Sequence, residues 1–269
     1  SPLISTVLVG ATAIVQLGNE TQKQDLLPKI VAGELLTALA LDEHTNHNPS
    51  KIATTATKVD GGYALNGSKT FVLDGHIANV LIVAARTSGE TIGEQGISLF
   101  LVDANAEGLN VVRTIMVDSR NSSNIQFNNV VVAEDALLGE LDQGFNGLDS
   151  VLDIARIGIA AEMLGSMQAV FESILEFLKQ REQFGVLIGS FQGLQHRAAE
   201  MYSEIELCKS AVRAALAGLD DPDTTQAERA ELASMTKAKL SEVFFLVSNE
   251  GIQMHGGIGM TDEFDVGFF

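Results

Sequence analysis

Cysteine and basic residues are both scarce in this sequence of 269 residues. The single cysteine, Cys208, excludes an internal disulfide and fits a reducing compartment. Because Cys208 shares a helical apolar stripe with Met201, Ile205 and Val212, we expect it to pack in a core rather than to react. Only 17 basic residues stand against 35 acidic ones, which argues against the basic surface that nucleic-acid binding needs. The acidic excess suits solubility or, alternatively, the docking of a basic partner.

Two further absences narrow the class of protein. No segment has the length and the unbroken apolar character of a membrane span, so we expect none and predict a cytoplasmic location. No G-x-G-x-x-G motif follows a predicted strand, which argues against a Rossmann type of cofactor site. The sequence begins inside an apolar helical pattern and stops at Phe268-Phe269, so we expect it to be part of a longer chain.

The sequence contains helical patterns, then strand patterns, then helical patterns again. Residues 3–17 have apolar positions at helical spacing. A second helix at about 20–32 is predicted to be broken by Pro28 and to end at Gly33. Apolar runs between Gly, Asn and Asp turns then predict strands, two of them joined by a hairpin turn at 60–62. The predicted strands are 51–57, 63–72, 79–85, 97–102, 109–113 and 125–132.

The last part of the sequence predicts three long helices. Apolar residues hold a spacing of three to four from 148 to 178, and a second helix is predicted at about 191–216. Thr225-x-x-Glu228 resembles a capping box that opens a third helix, which runs to about residue 252. Short links between long helices predict an antiparallel bundle that lacks its last member. The fold class is therefore α+β rather than alternating βαβ.

Three sequence motifs carry more information than this order of elements. QREQFG occupies 180–185, with Gln192 and Gln195 after it, and QMHGGIG occupies 253–259. The pattern Tyr-x-x-Asn-Gly-x-Lys occupies 63–69, in the strand region. Their order and spacing closely resemble the flavin-dependent acyl-CoA dehydrogenase family of bacterial type, and the resemblance covers nearly the whole chain.

The resemblance implies a fold in three parts and a reaction. The parts are a remnant of an N-terminal helical domain at 1–38, a β-barrel or sandwich domain at 39–140 and an incomplete helical bundle at 141–269. The cofactor would be FAD, and the enzyme would desaturate an acyl-CoA thioester in fatty acid metabolism: a carboxylate removes the α-proton and the β-hydride passes to flavin. Electrons would then go to an electron-transferring flavoprotein. Because the family builds its pocket from two chains, we expect a homo- or hetero-oligomer, either a dimer or a homotetramer.

By this resemblance, the first bundle motif would bind the far end of FAD. Arg181 would contact the pyrophosphate of the FAD in a neighbouring subunit, since a guanidinium forks onto phosphate oxygens. Phe184 would pack on the adenine side, and Gln192 and Gln195 would add polar contacts. The alternatives are a surface arginine in an i,i+4 pair, an aromatic that anchors its own loop and a solvated helix face for the glutamines.

The second bundle motif would approach the same end of the cofactor. Gln253, Gly256 and Gly257 would let the backbone come close to a phosphate or ribose, because glycine has no Cβ. A plain helix C-cap is the alternative for the two glycines. For the histidines inside these motifs, His196 and His255, we expect hydrogen bonding or packing rather than catalysis.

On the flavin-ring side the sequence departs from the family pattern. The family has an aromatic, an aliphatic and a threonine where this chain has Phe71-Val72-Leu73, so Phe71 can stack but Leu73 brings no hydroxyl. The Thr-Glu-Pro loop of the family is replaced by residues 42–47. That loop contains Asp42, Glu43, His44 and His47, yet we expect no metal, because no second histidine pair accompanies it.

The position of the catalytic base is the main gap. One branch of the family has a glutamate before the arginine of the first bundle helix, where this chain has Ala155 before Arg156. The other branch places its glutamate beyond the end of this chain. Glu162 lies two turns along the helix from Ala155 and is a candidate substitute, with an ordinary polar contact as the alternative. Arg156 matches a position that approaches the CoA part of the substrate, with an ion pair to Asp153 as the alternative.

Two other functions fit the same residues. A non-catalytic or half-site subunit would complete the FAD pocket of a partner after its own ring-side pocket had decayed, as the 42–47 loop, Leu73 and Ala155 suggest. A related flavin oxidase or monooxygenase would instead consume oxygen.

Overall fold

The computed structural model describes residues 2–269. The chain forms two compact units, Ser1–Ala155 and Arg156–Phe269, here called unit 1 and unit 2. Unit 1 contains a sheet with helices, and unit 2 contains long helices, as the α+β class requires. The predicted domain boundaries at residues 38 and 140 stay predictions.

Unit 1 begins with helices. A segment with π-type hydrogen bonding, Leu3–Ala11, leads directly into α1 (Thr12–Leu17), which confirms the helix predicted at 3–17. A capping box of Asn19 with Gln22 opens α2 (Glu20–Val31).

The prediction that Pro28 breaks the second helix was wrong, because α2 continues through Pro28 to Val31. Pro28 lies in the last turn, where its missing N–H removes a single bond and its own carbonyl still accepts from Ala32. The predicted end at Gly33 is confirmed. Gly33 has φ +74°, and the next amide, of Glu34, closes a Schellman motif on the Lys29 carbonyl at 2.9 Å.

Eight strands of unit 1 form one sheet in the order β6-β7-β3-β2-β4-β5-β8, with β1 parallel to β4. Apart from β1 and one β2–β4 contact, neighbouring strands are antiparallel. The strands are β1 (Thr37–Ala40), β2 (Thr55–Val59), β3 (Gly62–Leu73), β4 (Val80–Arg86), β5 (Ile97–Asp103), β6 (Leu109–Ile115), β7 (Asn121–Ala133) and β8 (Leu137–Leu138).

The first predicted strand is misplaced, and β1 was not predicted. The prediction put a strand at 51–57, but β2 begins only at Thr55. The amides of Ala53 and Thr54 donate to the Glu43 carboxylate, at 2.7 and 2.9 Å, instead of to a neighbouring strand. The hairpin signal is confirmed, since Val59 pairs with Gly62 across the turn.

Successive residues of the central strand β4 enter two different cores, because side chains along a strand alternate between its two faces. Leu81 and Val83 pack in one core with Phe100 and Phe127, while Ile82 packs in another against the helical segments of unit 1. A central strand buried on both faces explains the unbroken apolar run at 80–85.

Unit 2 is built from the greater part of α3 (Gly144–Gln180), with α4 (Gln192–Asp220) and α5 (Gln226–His255). A small hairpin, β9 (Glu182–Gln183) and β10 (Val186–Leu187), links α3 to α4. The predicted capping box is confirmed at the start of α5. Apolar residues at helical spacing build the core: Ala160, Met167, Val170, Ile174, Leu178, Met201, Ile205, Cys208, Val212, Leu240, Val243, Val247, Met254 and Val266.

Among the described helices, α3 alone has the length and composition to cross a membrane, with a mean hydropathy of 1.2 over its most apolar window. Only 22% of that window is buried, although Met167, Val170 and Ile174 of α3 are fully buried in the core of unit 2. A core helix of this length has the same apolar character, so the feature alone is weak evidence for a span.

Candidate functional site

The hairpin after α3 holds an aromatic side chain out of the core of unit 2. Phe184 and Gly185 form its two-residue turn with φ values of +55° and +78°, the signs of a type I′ turn. Left-handed backbone costs a non-glycine residue roughly 1–2 kcal/mol. Phe184 is also 91% exposed, and its only ring contact in the described chain is an edge-on approach to Phe191 at 6.3 Å. The turn therefore presents Phe184 outward at a cost to the fold.

The polar residues of the first motif are exposed as well. The backbone of Arg181 is fixed by hydrogen bonds to Phe177 and Ile188, both 2.9 Å. Its guanidinium has no hydrogen bond or ion pair with any of residues 2–269. Gln195 donates to the Gly189 carbonyl at 2.9 Å, and Gln192 is exposed at the start of α4. Most of this polar surface is thus free to bind a group outside the chain.

The second motif ends α5 with three exposed residues, Gln253, Gly256 and Gly257. Gly256 has φ +64° and ψ −143° and also caps the helix, its amide donating to the Gln253 carbonyl. A Cβ at Gly256 or Gly257 would meet no atom within 4 Å, so no neighbour inside the chain requires a bare backbone there. The space beside the two glycines is open to a ligand.

An aromatic cluster holds the two motifs together. His255 is buried, stacks on Phe177 with ring centroids 4.5 Å apart, and also contacts Phe264. Its Nδ1 donates to the Gly251 carbonyl at 2.7 Å. Because the Phe177 carbonyl accepts from the Arg181 amide, one cluster places the ends of α3 and α5 side by side. The seven bundle residues given by the resemblance therefore share one end of unit 2, and His196, next to Gln195, is exposed on α4.

In unit 1, the three ring-side residues end strand β3. Phe71 is 51% exposed with φ +51°, Val72 is buried and Leu73 is half-buried. The pairing of β3 with β7 shifts between Lys69 and Val72, which turns Phe71 out of the ladder. Beside it lies a cavity of about 180 Å³. The cavity is lined by Ser5, Val9, Leu39, Leu41, Asp42, His47, Thr70, Phe71, Leu73 and Leu152.

The divergent 42–47 loop contributes two polar side chains to this cavity. The Asp42 carboxylate contacts Nδ1 of His47 through both oxygens, at 2.9 and 3.1 Å. The Asp42 carbonyl accepts from the Thr70 amide at 2.7 Å, which ties the loop to β3. The pairing of Asp42 with His47 was not predicted, and the acid- and histidine-rich composition of the loop was its only signal in the sequence.

The next residue, Glu43, points the other way and forms a buried ion pair. Its Oε1 lies 2.8 Å from Nζ of Lys69, which also donates to the Leu41 carbonyl at 3.0 Å. Burial lowers the pKa of Lys69 to about 8, against the opposing effect of Glu43. Burial raises the pKa of Glu43, but the charge and hydrogen bond of Lys69, together with hydrogen bonds from Thr54, outweigh it and hold that pKa below its ordinary value. No group of three His, Cys, Asp or Glu within residues 2–269 is placed to hold a metal ion.

The candidate residues for catalysis lie along α3. Ala155 and Arg156 are half-buried, and Glu162 is exposed in unit 2. Asp153, the alternative partner of Arg156, is buried. The roles of Glu162 and Arg156 stay predictions.

Comparison with known proteins assigns the chain to a family. Family models for the acyl-CoA dehydrogenase middle and C-terminal domains match residues 39–130 and 142–269. An acyl-CoA dehydrogenase of Bacillus subtilis (strain 168) is 34% identical over 262 residues, covering 96% of this chain and 68% of that protein. Butyryl-CoA dehydrogenase from Megasphaera elsdenii has a TM-score of 0.91 at 32% identity, over 98% of this chain and 69% of its own. The FAD complex of PigA has a TM-score of 0.91 at 28% identity, over 99% and 69%.

A sheet unit followed by a helical unit with two motifs at one end defines the class of flavoprotein fold that these neighbours share. The chain belongs to the acyl-CoA dehydrogenase family. It spans 58–69% of the length of eight curated relatives that it matches.

Both candidate surfaces fit the cofactor that the family implies. An apolar cavity of about 150 Å³ holds one aromatic ring, so the partly polar cavity of about 180 Å³ beside Phe71 can receive one of the three fused rings of flavin. The guanidinium of Arg181, which has no partner in the described part of the chain, and the open backbone at Gly256 and Gly257 suit an anionic group. The side chain of Leu73 is the one mismatch, since it offers no hydrogen bond to a ring.

Proposed function

We propose that this chain is part of an FAD-dependent acyl-CoA dehydrogenase, which forms a double bond between the α and β carbons of an acyl-CoA thioester. The exposed end of unit 2 carries this proposal. It combines a guanidinium without a partner among residues 2–269, an outward aromatic ring and open space beside two glycines. Gly256 also caps α5, but no packing within the described chain accounts for the guanidinium, the exposed ring or Gly257.

The residues of unit 2 would hold the phosphate and adenine end of the cofactor. Arg181 would pair with the pyrophosphate, because a guanidinium donates two parallel hydrogen bonds to neighbouring oxygens. Phe184 would cover the adenine, and Gln192 and Gln195 would bond to polar atoms beside it. The remaining three residues, Gln253, Gly256 and Gly257, would bring backbone amides close to phosphate or ribose.

The residues of unit 1 would hold the ring end. Phe71 would pack against a flat ring at the cavity, while Val72 and Leu73 supply apolar wall and backbone amides. When bound, FAD would supply the hydride acceptor that no amino-acid side chain provides.

The proton chemistry belongs to the protein. The α-proton of a thioester is weakly acidic, so its removal requires a positioned carboxylate and donors that polarise the thioester carbonyl. Glu162 is the candidate carboxylate within this chain, and a glutamate from the rest of the protein is the alternative. Arg156 would bind the CoA portion through its phosphate groups.

The proposed function also implies an oligomeric state, an electron acceptor and a cellular location. An exposed FAD-binding end on unit 2 suits a cofactor shared between subunits, so we propose a dimer or homotetramer, with a hetero-oligomer as the alternative. Electron-transferring flavoprotein would be the acceptor, fatty acid metabolism the process and the cytoplasm the location.

The substitution Arg181→Ala in the full-length protein tests this function. We expect flavin to be lost on purification while the helical content stays intact. Arg213→Ala is the matched control, since Arg213 is an exposed arginine on α4, outside both motifs, that has no partner among residues 2–269. Flavin absorbance per chain measures occupancy, and anaerobic bleaching on addition of acyl-CoA measures the reaction. Full occupancy in Arg181→Ala would contradict the pyrophosphate assignment. A colourless wild type that gains flavin only with a partner chain would favour the half-site subunit.

A further inference from the structure

The ring-side cavity contains a histidine that its neighbours orient. Both oxygens of Asp42 lie within hydrogen-bond distance of His47 Nδ1, and Asp42 Oδ1 also accepts from the Asn48 amide at 3.3 Å. A carboxylate oxygen accepts and does not donate, so Nδ1 carries the hydrogen of this bond. Nε2 is then the ring atom left for a ligand, and it has no hydrogen-bond partner among residues 2–269.

Hydrogen bonds to the backbone of the loop fix the orientation of the Asp42–His47 pair. The Asp42 carbonyl accepts from the Thr70 amide at 2.7 Å, one residue before Phe71. The carbonyl of Leu41, on the other side of Asp42, accepts from buried Lys69 at 3.0 Å. The aspartate is therefore fixed to β3 from both directions. Its side chain is 28% exposed and that of His47 is 51% exposed, so the aspartate lies deeper than the imidazole.

The cavity around the pair suits one ring with polar edges. Leu39, Leu41 and Leu152 give it apolar walls, and Asp42, His47 and Thr70 give it a polar side. Its volume of about 180 Å³ exceeds the roughly 150 Å³ that accommodates one benzene-sized ring. The cavity can therefore receive one ring of a flat, fused ring system, with Asp42, His47 and Thr70 beside the polar edge of that ring.

Several charged groups lie near the imidazole of His47. Asp42 is the acidic group in contact with His47, and buried Lys69 lies close enough to Asp42 for the two charges to interact. The charge of Lys69 is in turn paired with Glu43 on the side away from the cavity. His44 belongs to the same loop but does not line the cavity. A protonated imidazole donates from both nitrogens, one to Asp42 and one to a ligand.

We propose that His47, positioned by Asp42, contacts the flavin ring and donates a hydrogen bond from Nε2 to an acceptor on the ring edge. This contact replaces the hydroxyl that Leu73 lacks, and it rests on the proposed FAD-dependent function. A cation at that edge stabilises the electron-rich reduced ring more than the oxidised ring, because reduction adds negative charge. The 42–47 loop is then a rebuilt cofactor contact and not a decayed one.

The experiment compares the full-length FAD-loaded wild type with His47→Gln and Asp42→Asn. His44→Gln is the matched control, because it changes an exposed histidine of the same loop that does not line the cavity. The midpoint potential of bound flavin is measured against reference dyes. We expect His47→Gln to lose about tenfold in stabilisation of reduced over oxidised flavin, which lowers a two-electron midpoint by about 30 mV. Asp42→Asn should shift it in the same direction, and His44→Gln should leave it unchanged.

A second measurement needs no substitution. The wild type, with ¹⁵N-labelled histidine, is titrated with FAD, and the Nε2 resonance of His47 should move while that of His44 stays in place. The inference is overturned if FAD binds, the wild type and His47→Gln have equal potentials, and the Nε2 resonance of His47 does not move. The proposed function stands in that case. A wild type that binds no FAD overturns the function and the inference together.

Discussion

Lys69 in unit 1 and Arg181 in unit 2 both belong to motifs shared with the acyl-CoA dehydrogenase family, but they differ in burial and in their interaction partners. Lys69 is fully buried, paired with Glu43 and bonded to the Leu41 carbonyl. Arg181 is exposed, and its guanidinium has no partner among residues 2–269. Phe184 beside it is exposed on a strained turn.

The difference shows two reasons why a residue can belong to a family motif: it stabilises the fold, or it binds a ligand. A buried charge that satisfies its neighbours holds the fold, and its loss is felt as instability. An exposed residue without partners contributes little to stability, so its role depends on what binds to it. Substitution of a buried charge such as Lys69 should therefore damage stability, and substitution of the exposed motif residues of unit 2 should damage cofactor binding. Three predictions test that division.

The largest expected effect is the loss of stability on Lys69→Met. The substitution leaves the Glu43 carboxylate buried without its cation, and breaking a buried pair in this way costs about 3–5 kcal/mol. The loss is measured as the change in the urea-unfolding midpoint, monitored by hydrogen exchange of the amides of β3, because Lys69 lies on β3. The double variant Lys69→Met/Glu43→Gln should recover about half of it, because no unpaired charge is left.

Lys58→Met is the matched control for this prediction. Lys58 pairs with Glu134 at the surface of the same sheet, where solvent screens both charges. Its loss should leave the unfolding midpoint of β3 near that of the wild type. Equal midpoints for Lys58→Met and Lys69→Met would show that burial of the Glu43–Lys69 pair does not decide stability.

The sequence predicted elements that depend on neighbouring residues. The hairpin at Asp60-Gly61 and the capping box of Thr225 with Glu228 require contacts within a few residues, and both are confirmed. The late start of β2 depends on Glu43, ten residues away, which takes the amides that a strand would use. The residue pattern of 51–57 alone cannot show that Glu43 accepts hydrogen bonds from these amides.

The candidate site was predictable to a similar degree. Motif spacing indicated the residues at the end of unit 2, although not the His255–Phe177 stacking that places them together. In the 42–47 loop the sequence offered a run of acids and histidines. The structure sends neighbouring residues to opposite sides, Asp42 to the cavity and Glu43 to Lys69. Only the fold shows that these side chains do not converge.

A smaller effect on stability is expected from pH, through the buried amine of Lys69. The pKa of Lys69 is about 8 in the folded chain against an ordinary 10.5, so the unfolded chain binds more protons between these values. Stability should therefore rise with pH in that window, by about 1 kcal/mol between pH 7.5 and 9. The midpoints of urea unfolding in β3 at the two pH values measure the change.

The reference for this pH effect is the double variant Lys69→Met/Glu43→Gln. Burial raises the pKa of Cys208 to about 11 in the folded chain, so its thiol opposes the Lys69 effect near pH 9. That opposition is common to both proteins and cancels in the difference. An identical pH response in the wild type and the double variant would contradict the assignment to Lys69.

The smallest expected change in stability comes from Phe184→Gly in unit 2, and its sign is opposite to that of Lys69→Met. Glycine relieves roughly 1 kcal/mol of left-handed strain and loses part of that to its greater chain entropy, so we expect a gain of about 0.5 kcal/mol. FAD affinity should fall, because the aromatic surface is gone. Ser119→Gly, at φ +58° in unit 1, is the control that relieves strain without removing an aromatic ring. Urea unfolding and FAD titration measure the two quantities. A Phe184→Gly variant that loses stability and keeps its FAD affinity would show that Phe184, like Lys69, stabilises the fold and does not bind the cofactor.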